Sequence, residues 1–309
     1  MAGYPPNPRL LVKSSFPAIL GLALVASAGM AAQAAISSGP KTVNPSTPMS
    51  RVKSIDGATI AFERRGTGPA LILVGGALSD RRGAAPLAER LAGNFTVYNF
   101  DRRGRGESTD GATYAVDREI EDIAALIDHA GGVAFLYGVS SGAALALQTA
   151  ARLGPAQVPK LALYEPPYGS EDNKPRHAEQ KRRVNELIKM GRPGEAASYF
   201  LTAIGTPPEA LEKLKKSPPW EAMARMDFTL AYDYAILGDG AVPQAVAKAI
   251  QVPTLVLDGE KSLEFMRPTA DEVARLIPGA ARQTLSGQTH QAAPEVVAPV
   301  LIEFFGAAP

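Results

Sequence analysis

The residues best suited to do chemistry are a serine and a histidine far apart in the chain. Ser140 sits in Gly138-Val139-Ser140-Ser141-Gly142, between the apolar run Gly132 to Tyr137 and the alanine-rich run Ala143 to Leu153. That order reads as a strand, a sharp turn and a helix, a setting that holds a serine out over the end of a sheet. Glycines two residues to either side let neighbouring elements approach without a Cβ clash. A serine hydroxyl is a poor nucleophile until a base takes its proton, so the pattern calls for an imidazole. The chain has three histidines. His129 ends a helical pattern, where the dipole favours an imidazolium, and reads as structural. His177 stands among Lys174, Arg176, Lys181, Arg182 and Arg183 and reads as part of a solvated basic face. His290 alone follows a strand on a turn, Ser286-Gly287-Gln288-Thr289-His290.

Such an imidazole needs a carboxylate to orient it. Glu165 ends the strand pattern Pro159 to Tyr164 and precedes Pro166-Pro167. A residue before proline is biased toward extended backbone, so Glu165 is expected to be extended and stiffly presented at the sheet edge that carries Ser140. Asp258 and Glu260, just beyond the apolar run Val252 to Leu257, are the alternative acids, with Glu264 nearby. An oxyanion forming at a carbonyl needs N–H donors. Ser141 begins a helix, so its N–H is unpaired and backed by the helix dipole. Ala77 follows Gly75-Gly76 at the end of the run Ala70 to Val74 and can turn a second N–H inward; an ordinary strand-to-helix turn is the competing reading there.

The elements that position these residues alternate. Arg51 to Ile55 and Thr59 to Arg65 flank Asp56-Gly57 as a hairpin. Strands follow at Ala70 to Val74, Phe95 to Phe100, Gly132 to Tyr137, Pro159 to Tyr164, Val252 to Leu257 and Arg282 to Leu285. Helical spacing of Ile120, Ile123, Ala124 and Ile127 predicts a helix over 116–128, with others over 268–276 and 294–305. The fold class is α/β, a mostly parallel sheet covered by helices on both faces. Between Gly169 and Ala249 the strand pattern stops and short helices broken by Pro175, Pro193, Pro207-Pro208 and Pro218-Pro219 take over. An inserted helical cap over 169–249 is expected, dividing the core into 50–168 and 250–309. Its Trp220, Met223 and Tyr232, with Gly76 on the strand loop, are candidate substrate-binding residues, although core packing is open to each. Asp101-Arg102-Arg103-Gly104-Arg105-Gly106-Glu107-Ser108 reads as a compact loop held by Arg and Asp pairs rather than an anion site.

Composition narrows the function. The chain of 309 residues contains no cysteine, which excludes disulfides, a thiol nucleophile and cysteine-based metal sites. No metal and no cofactor are expected. A formal net charge of +1, with no basic stripe interleaved with aromatics, argues against a nucleic-acid partner. Residues 1–34 hold Arg9, Lys13 and no acid, then an apolar stretch and Ala32-Gln33-Ala34, the pattern of a secretory signal peptide. An uncleaved anchor over 14–35 is the alternative. Residues 35–49 read as a Pro/Ser/Gly linker. The expected protein is secreted or periplasmic, a monomer or homodimer with no stable membrane partner, acting on a small-molecule substrate.

Taken together, the elbow Gly138 to Gly142, the loop Asp101 to Ser108, the strand Val252 to Leu257 and Gly287-Gln288-Thr289-His290 resemble those of an α/β-hydrolase-fold protein, across about residues 50–307. The resemblance implies Ser140 as nucleophile, His290 as general base and then acid, and the N–H groups of Ser141 and Ala77 as oxyanion hole. Many relatives have His-Gly where this chain has Gly75-Gly76, and often carry the acid a few residues after Thr254 to Leu257, where Ser262 stands here. Some use the earlier strand instead, the position of Glu165. The implied function is a serine hydrolase of carboxylic esters or lactones. C–C or amide hydrolysis, or cofactor-free haloperoxidase-like activity, are alternatives on the same triad. A non-catalytic ligand-binding protein is the alternative of another class.

Overall fold

A computed structural model describes residues 48–306. The expected signal peptide and residues 35–47 of the expected linker lie outside them. One eight-stranded sheet organises the chain, with strands β1 (Met49–Lys53), β2 (Thr59–Arg65), β3 (Ala70–Val74), β4 (Thr96–Phe100), β5 (Phe135–Val139), β6 (Leu161–Tyr164), β7 (Thr254–Gly259) and β8 (Ala281–Leu285). Their order is β1-β2-β4-β3-β5-β6-β7-β8. The two pairings that involve β2 are antiparallel and all others are parallel.

Alternation of side chains across each strand builds two core layers from the apolar runs. Ile72, Val74, Leu136, Leu161, Leu163 and Val256 face one layer. Their neighbours Leu71, Leu73, Tyr137, Ala162, Tyr164, Leu255 and Leu257 face the other. The first layer is closed by α2 (Val116–His129), α3 (Ser141–Leu153), α9 (Gln244–Lys248) and α10 (Met266–Leu276). The second is closed by α1 (Arg81–Leu91) and α11 (Pro294–Gly306). Burying one such Leu, Ile or Val side chain contributes about 1.5–3 kcal/mol, so these layers dominate the stability.

The helix α1 has no counterpart in the sequence reading. Gly83 and Pro86 interrupt its pattern, yet the Asp80 side chain caps it by accepting from Arg82 N at 2.9 Å. His129 closes α2 with its ring against Phe62 and Tyr98, a packing role. Between β6 and β7 lie α4 (Lys174–Lys189), α5 (Glu195–Ala203), α6 (Pro208–Lys215), α7 (Pro219–Arg225), α8 (Leu230–Ile236) and α9. Residues of α4 to α8 form a third apolar cluster over the sheet edge. From Ile236 onward the segment packs instead into the first core layer, through Val242, Ala247 and Ile250. No helix among the described residues is long and apolar enough to cross a membrane.

Topology places a crevice at the carboxyl ends of β3 and β5. The chain leaves β3 to form β4 on one side and returns to form β5 on the other. The helix after β3, α1, covers one face of the sheet, and the helix after β5, α3, covers the other. Ligand sites of open α/β sheets lie at such a switch point.

Candidate active site

Ser140 occupies that crevice in a backbone conformation that side chains rarely adopt, φ 57° and ψ −130°. Strain of this kind persists only where surrounding bonds over-determine it. Here Ser140 N donates to Tyr164 O at 2.9 Å, and Ala143 N donates to Ser140 O at 2.9 Å. The flanking glycines are sterically required. A Cβ on Gly138 would lie 2.4 Å from Gly142 O, and one on Gly142 would lie 2.3 Å from Val74 O. The elbow can therefore press α3 against β3 and β5 only with glycine at both places.

Strand register brings the acid alongside. Val139 pairs with Tyr164, so Ser140 and Glu165 leave neighbouring strands at the same level. Glu165 is fully buried, and its two oxygens are both engaged. Oε2 lies 2.6 Å from His290 Nδ1, and Oε1 accepts from Gly259 N at 2.7 Å. The expected extended backbone is corrected: Glu165 has φ 47°. Pro166 biases the residue against α backbone, but the tertiary bonds set its φ. Its N–H donates to Leu257 O at 3.0 Å while its carboxylate reaches across β7 to His290.

The histidine loop is tied at several points. Tyr164 Oη donates to Thr289 O at 2.5 Å, Lys261 N donates to Gln288 O at 2.7 Å, and Glu260 Oε2 accepts from Gly287 N at 2.7 Å and Ser286 Oγ at 2.8 Å. Those bonds leave His290 with 19% of its side chain exposed and its Nδ1 on Glu165.

The alternative acids are engaged elsewhere. Asp258 is buried and binds Arg282 Nη1 at 2.8 Å and Arg267 Nε at 3.5 Å. Burial raises its pKa, but hydrogen bonds from Arg282 and Thr284 outweigh this and hold it below the usual carboxylate range. Glu260 serves the histidine loop, and the N–H of Gly287 lowers its pKa first among several causes. Glu264 is exposed.

On the other side of Ser140, a Cβ built on Gly76 would fall 3.0 Å from Ser140 Cβ and 3.6 Å from its Oγ. Gly76 therefore abuts the serine. The N–H groups of Ala77 and Ser141 have no acceptor among the described residues. Leu78, next in the chain, has φ 51°. Leu78, Ser140 and Glu165 are the non-glycine residues with positive φ among those described, and all three lie around this crevice.

The helices above it supply an apolar wall. Trp220 and Met223 share one cluster with Ala77, Leu78, Leu187, Leu201 and Met226. Tyr232 lies outside that cluster. Its ring stacks on Tyr114, with centroids 3.7 Å apart, and its hydroxyl donates to Asp110 Oδ2 at 2.6 Å. His177 is corrected from the solvated face expected of it. Its ring packs on Tyr234 and against Gly240, its Nε2 is buried without a partner, and burial lowers its pKa.

Beneath the elbow lies a buried ionic network in which the arginines of the loop 101–108 pair with carboxylates outside it. In the loop after β4, Asp101 binds the loop's own Glu107 N at 2.8 Å and the Arg81 guanidinium. The three arginines pair with other elements. Arg102 Nε and Nη2 bind Glu119 at 2.7 and 2.8 Å, Arg103 binds Asp122 and Asp56, and Arg105 Nη2 binds both oxygens of Asp233 at 2.9 Å. Asp233, on α8, also accepts from Arg102 Nη1 at 2.9 Å and Ser141 Oγ at 2.8 Å. Burial raises the Asp233 pKa, but the charges of Arg105 and Arg102 outweigh it and hold the carboxyl low. No local pattern marks Asp233, because its partners lie about 90 to 130 residues away. Among the described residues no cluster of His, Asp and Glu could hold a metal ion.

Comparison with known proteins agrees with this architecture. A family model described as the alpha/beta hydrolase family matches residues 56–300. The chain is similar to a solved alpha/beta hydrolase from Sphaerobacter thermophilus, at 49% identity and TM-score 0.77, covering 83% of this chain and all of that one. It is also similar to a thermophilic esterase from Thermogutta terrifontis solved with malate bound, at 26% identity and TM-score 0.66, covering 84% of this chain and 98% of that one. An uncharacterised hydrolase of Bacillus subtilis is 33% identical over 118 residues, 36% of this chain. That match spans about two-fifths of the curated relative's length.

Proposed function

Because the chain belongs to the alpha/beta hydrolase family, we propose that it cleaves carboxylic esters or lactones of small apolar substrates through an acyl-enzyme on Ser140. The observation that carries this reading is the buried Glu165 bound at 2.6 Å to His290 Nδ1. With Nδ1 so held, the neutral ring carries its proton there and leaves Nε2 as the basic nitrogen. His290 then takes the proton of Ser140 as its oxygen attacks the carbonyl carbon. Glu165 stabilises the imidazolium that forms. The negative charge on the former carbonyl oxygen is met by the N–H groups of Ala77 and Ser141. As the intermediate collapses, His290 gives its proton to the leaving alcohol. Water, deprotonated by the same ring, attacks the acyl-enzyme and releases the acid. Trp220 and Met223, on the apolar wall that includes Ala77, receive an apolar part of the substrate. The similarity to a solved esterase supports ester chemistry. Export through the leader 1–34 belongs to the proposal.

The test is turnover of p-nitrophenyl acetate, butyrate and octanoate, beside an aryl amide and a 1,3-diketone, by the wild type and Ser140→Ala. Ester hydrolysis that disappears in Ser140→Ala is expected. Turnover of the amide or diketone in preference to every ester assigns C–C or amide chemistry instead. A wild type inert on all of them, and unlabelled by a fluorophosphonate, overturns the serine-hydrolase reading.

A further inference from the structure

The two N–H groups proposed as the oxyanion hole are both linked to one residue of the helical insertion, Asp233, one through the Ser141 hydroxyl and the other through Arg105. The first arm is the Ala77 N–H, and its peptide is clamped through the carbonyl of Gly76. Gly76 O accepts from Arg105 Nη1 at 2.5 Å and from Ser79 Oγ at 2.7 Å. In a planar trans peptide the N–H points opposite to the C=O. Those two bonds therefore aim the Ala77 N–H away from Arg105, on a peptide whose Gly76 abuts Ser140. Gly75 O is reached in turn by Arg102 Nη1 at 3.3 Å. The second arm is the Ser141 N–H, and its residue is anchored by the hydroxyl, which donates to Asp233 Oδ1.

One carboxylate joins these contacts. Asp233 binds Arg105 through both oxygens, Arg102 through one, and the Ser141 hydroxyl. It is 3% exposed, and its partners Arg102 and Arg105 are 2% and 1% exposed. Glu119, on the far side of Arg102, is buried as well and accepts from Tyr114 Oη at 2.9 Å. Two guanidinium groups and two carboxylates thus balance, and removing one charge leaves another buried without compensation. Leu78 points the same way. Its φ of 51° is strained, and its side chain is buried in the cluster formed by α4 to α8. The insertion thereby touches the Gly75 to Leu78 loop directly at Leu78 and reaches its Gly75–Gly76 end through Arg102 and Arg105.

We propose that Asp233, acting through Arg105 and the Ser141 hydroxyl, is a positioning residue that orients the two N–H donors of the oxyanion hole. The inference rests on Ser140 forming an acyl-enzyme. It predicts that the insertion completes the catalytic geometry of the sheet edge in addition to covering it.

The experiment compares wild type, Asp233→Asn and Arg105→Lys by crystal structure, by kcat and KM on p-nitrophenyl butyrate, and by inhibition with a trifluoromethyl ketone, whose adduct carries an oxyanion. In each variant the Gly76–Ala77 peptide is expected to rotate. The kcat is expected to fall about 10- to 100-fold, below the loss known for outright removal of an oxyanion donor. KM should stay within about threefold, and ketone affinity should fall in parallel with kcat/KM. An unmoved peptide with wild-type kcat and ketone affinity, even at a lowered Tm, overturns the inference and makes Asp233 a purely structural ion-pair partner. A rotated peptide in a protein whose wild type cleaves no ester and binds no ketone sinks the ester-hydrolase reading while the positioning geometry stands. If Asp233→Asn does not fold, Arg105→Lys carries the same readouts, because it keeps the charge and loses the fork that spans Asp233 and Gly76 O.

Discussion

Glu165 and His290 stand 125 positions apart in the chain and meet at 2.6 Å, across the intervening strand β7. The carboxylate is fully buried, with its other oxygen on Gly259 N, so it cannot turn away from the ring. Glu165→Gln keeps the shape and removes the charge. It also lets the amide donate to Nδ1 and thereby favours the wrong tautomer. The kcat is expected to fall about 10³- to 10⁴-fold with little change in KM. A loss smaller than about tenfold would remove Glu165 from the triad.

Asp258 provides the opposite expectation. It ties Arg282 and Arg267 and touches neither Ser140 nor His290. Asp258→Asn should keep kcat/KM within about threefold and cost about 1–3 kcal/mol of stability, the range for a lost hydrogen-bond partner, because Arg282 and Arg267 stay partly exposed to water. Urea unfolding followed beside ester turnover separates the two effects.

The same residue sets a pH dependence. Its folded-state pKa lies below the usual value, because hydrogen bonds from Arg282 and Thr284 outweigh the burial that opposes them. A carboxylate depressed on folding contributes stability above its unfolded pKa, about 3.9, and loses it as pH falls through the folded value. The stability gap between wild type and Asp258→Asn should therefore be full at pH 7 and shrink below about pH 4. A gap that widens with acid would contradict the assignment.

Gly142 and Gly76 flank the serine with different tolerances. A Cβ on Gly142 meets the backbone oxygens of Val74 and Gly75 at 2.3 and 2.5 Å, which cannot yield without moving β3. Gly142→Ala should destabilise the fold severely, by about 3 kcal/mol or more. The nearest atom to a Cβ on Gly76 is Ser140 Cβ, at 3.0 Å, so Gly76→Ala should fold and lose turnover. Thermal melting and kcat measured on both variants check the contrast.

What was legible in the chain was whatever depends on neighbours in sequence. The glycines around Ser140 forecast the elbow because close approach of α3 needs them, and continuous apolar runs forecast strands buried on both faces. The proline after Glu165 correctly marked a carboxylate at a strand end. Its φ did not follow from that proline, since bonds to Leu257, Gly259 and His290 set it. The helix α1 was hidden by Gly83 and Pro86, and its cap rests on a single Asp80. Asp233 was hidden for a stronger reason. Its three partners belong to two other segments, and a lone acid between two tyrosines carries no periodic signal. The local pattern of the loop suggests pairing of Arg102, Arg103 and Arg105 within it, whereas their carboxylates sit on α2, on α8 and at Asp56.

The apolar wall supplies a prediction about selectivity. Trp220 and Met223 pack against the same apolar cluster as Ala77, so the proposed oxyanion hole would direct a substrate toward that wall. Tyr232 is held by Tyr114 and Asp110 on another surface of α8. Met223→Ala enlarges the space for the acyl or alcohol chain and should shift preference from p-nitrophenyl butyrate toward octanoate by about 10-fold in the ratio of kcat/KM, the scale of one or two methylenes in an apolar pocket. Trp220→Ala should shift it in the same direction with a larger loss of stability, since the ring also packs on Gly194 and Ala224 is its neighbour there. Tyr232→Phe removes only the bond to Asp110 and should leave the ratio within twofold of wild type. A chain-length series on the three variants decides the matter: equal ratios throughout would place the substrate somewhere other than against this wall.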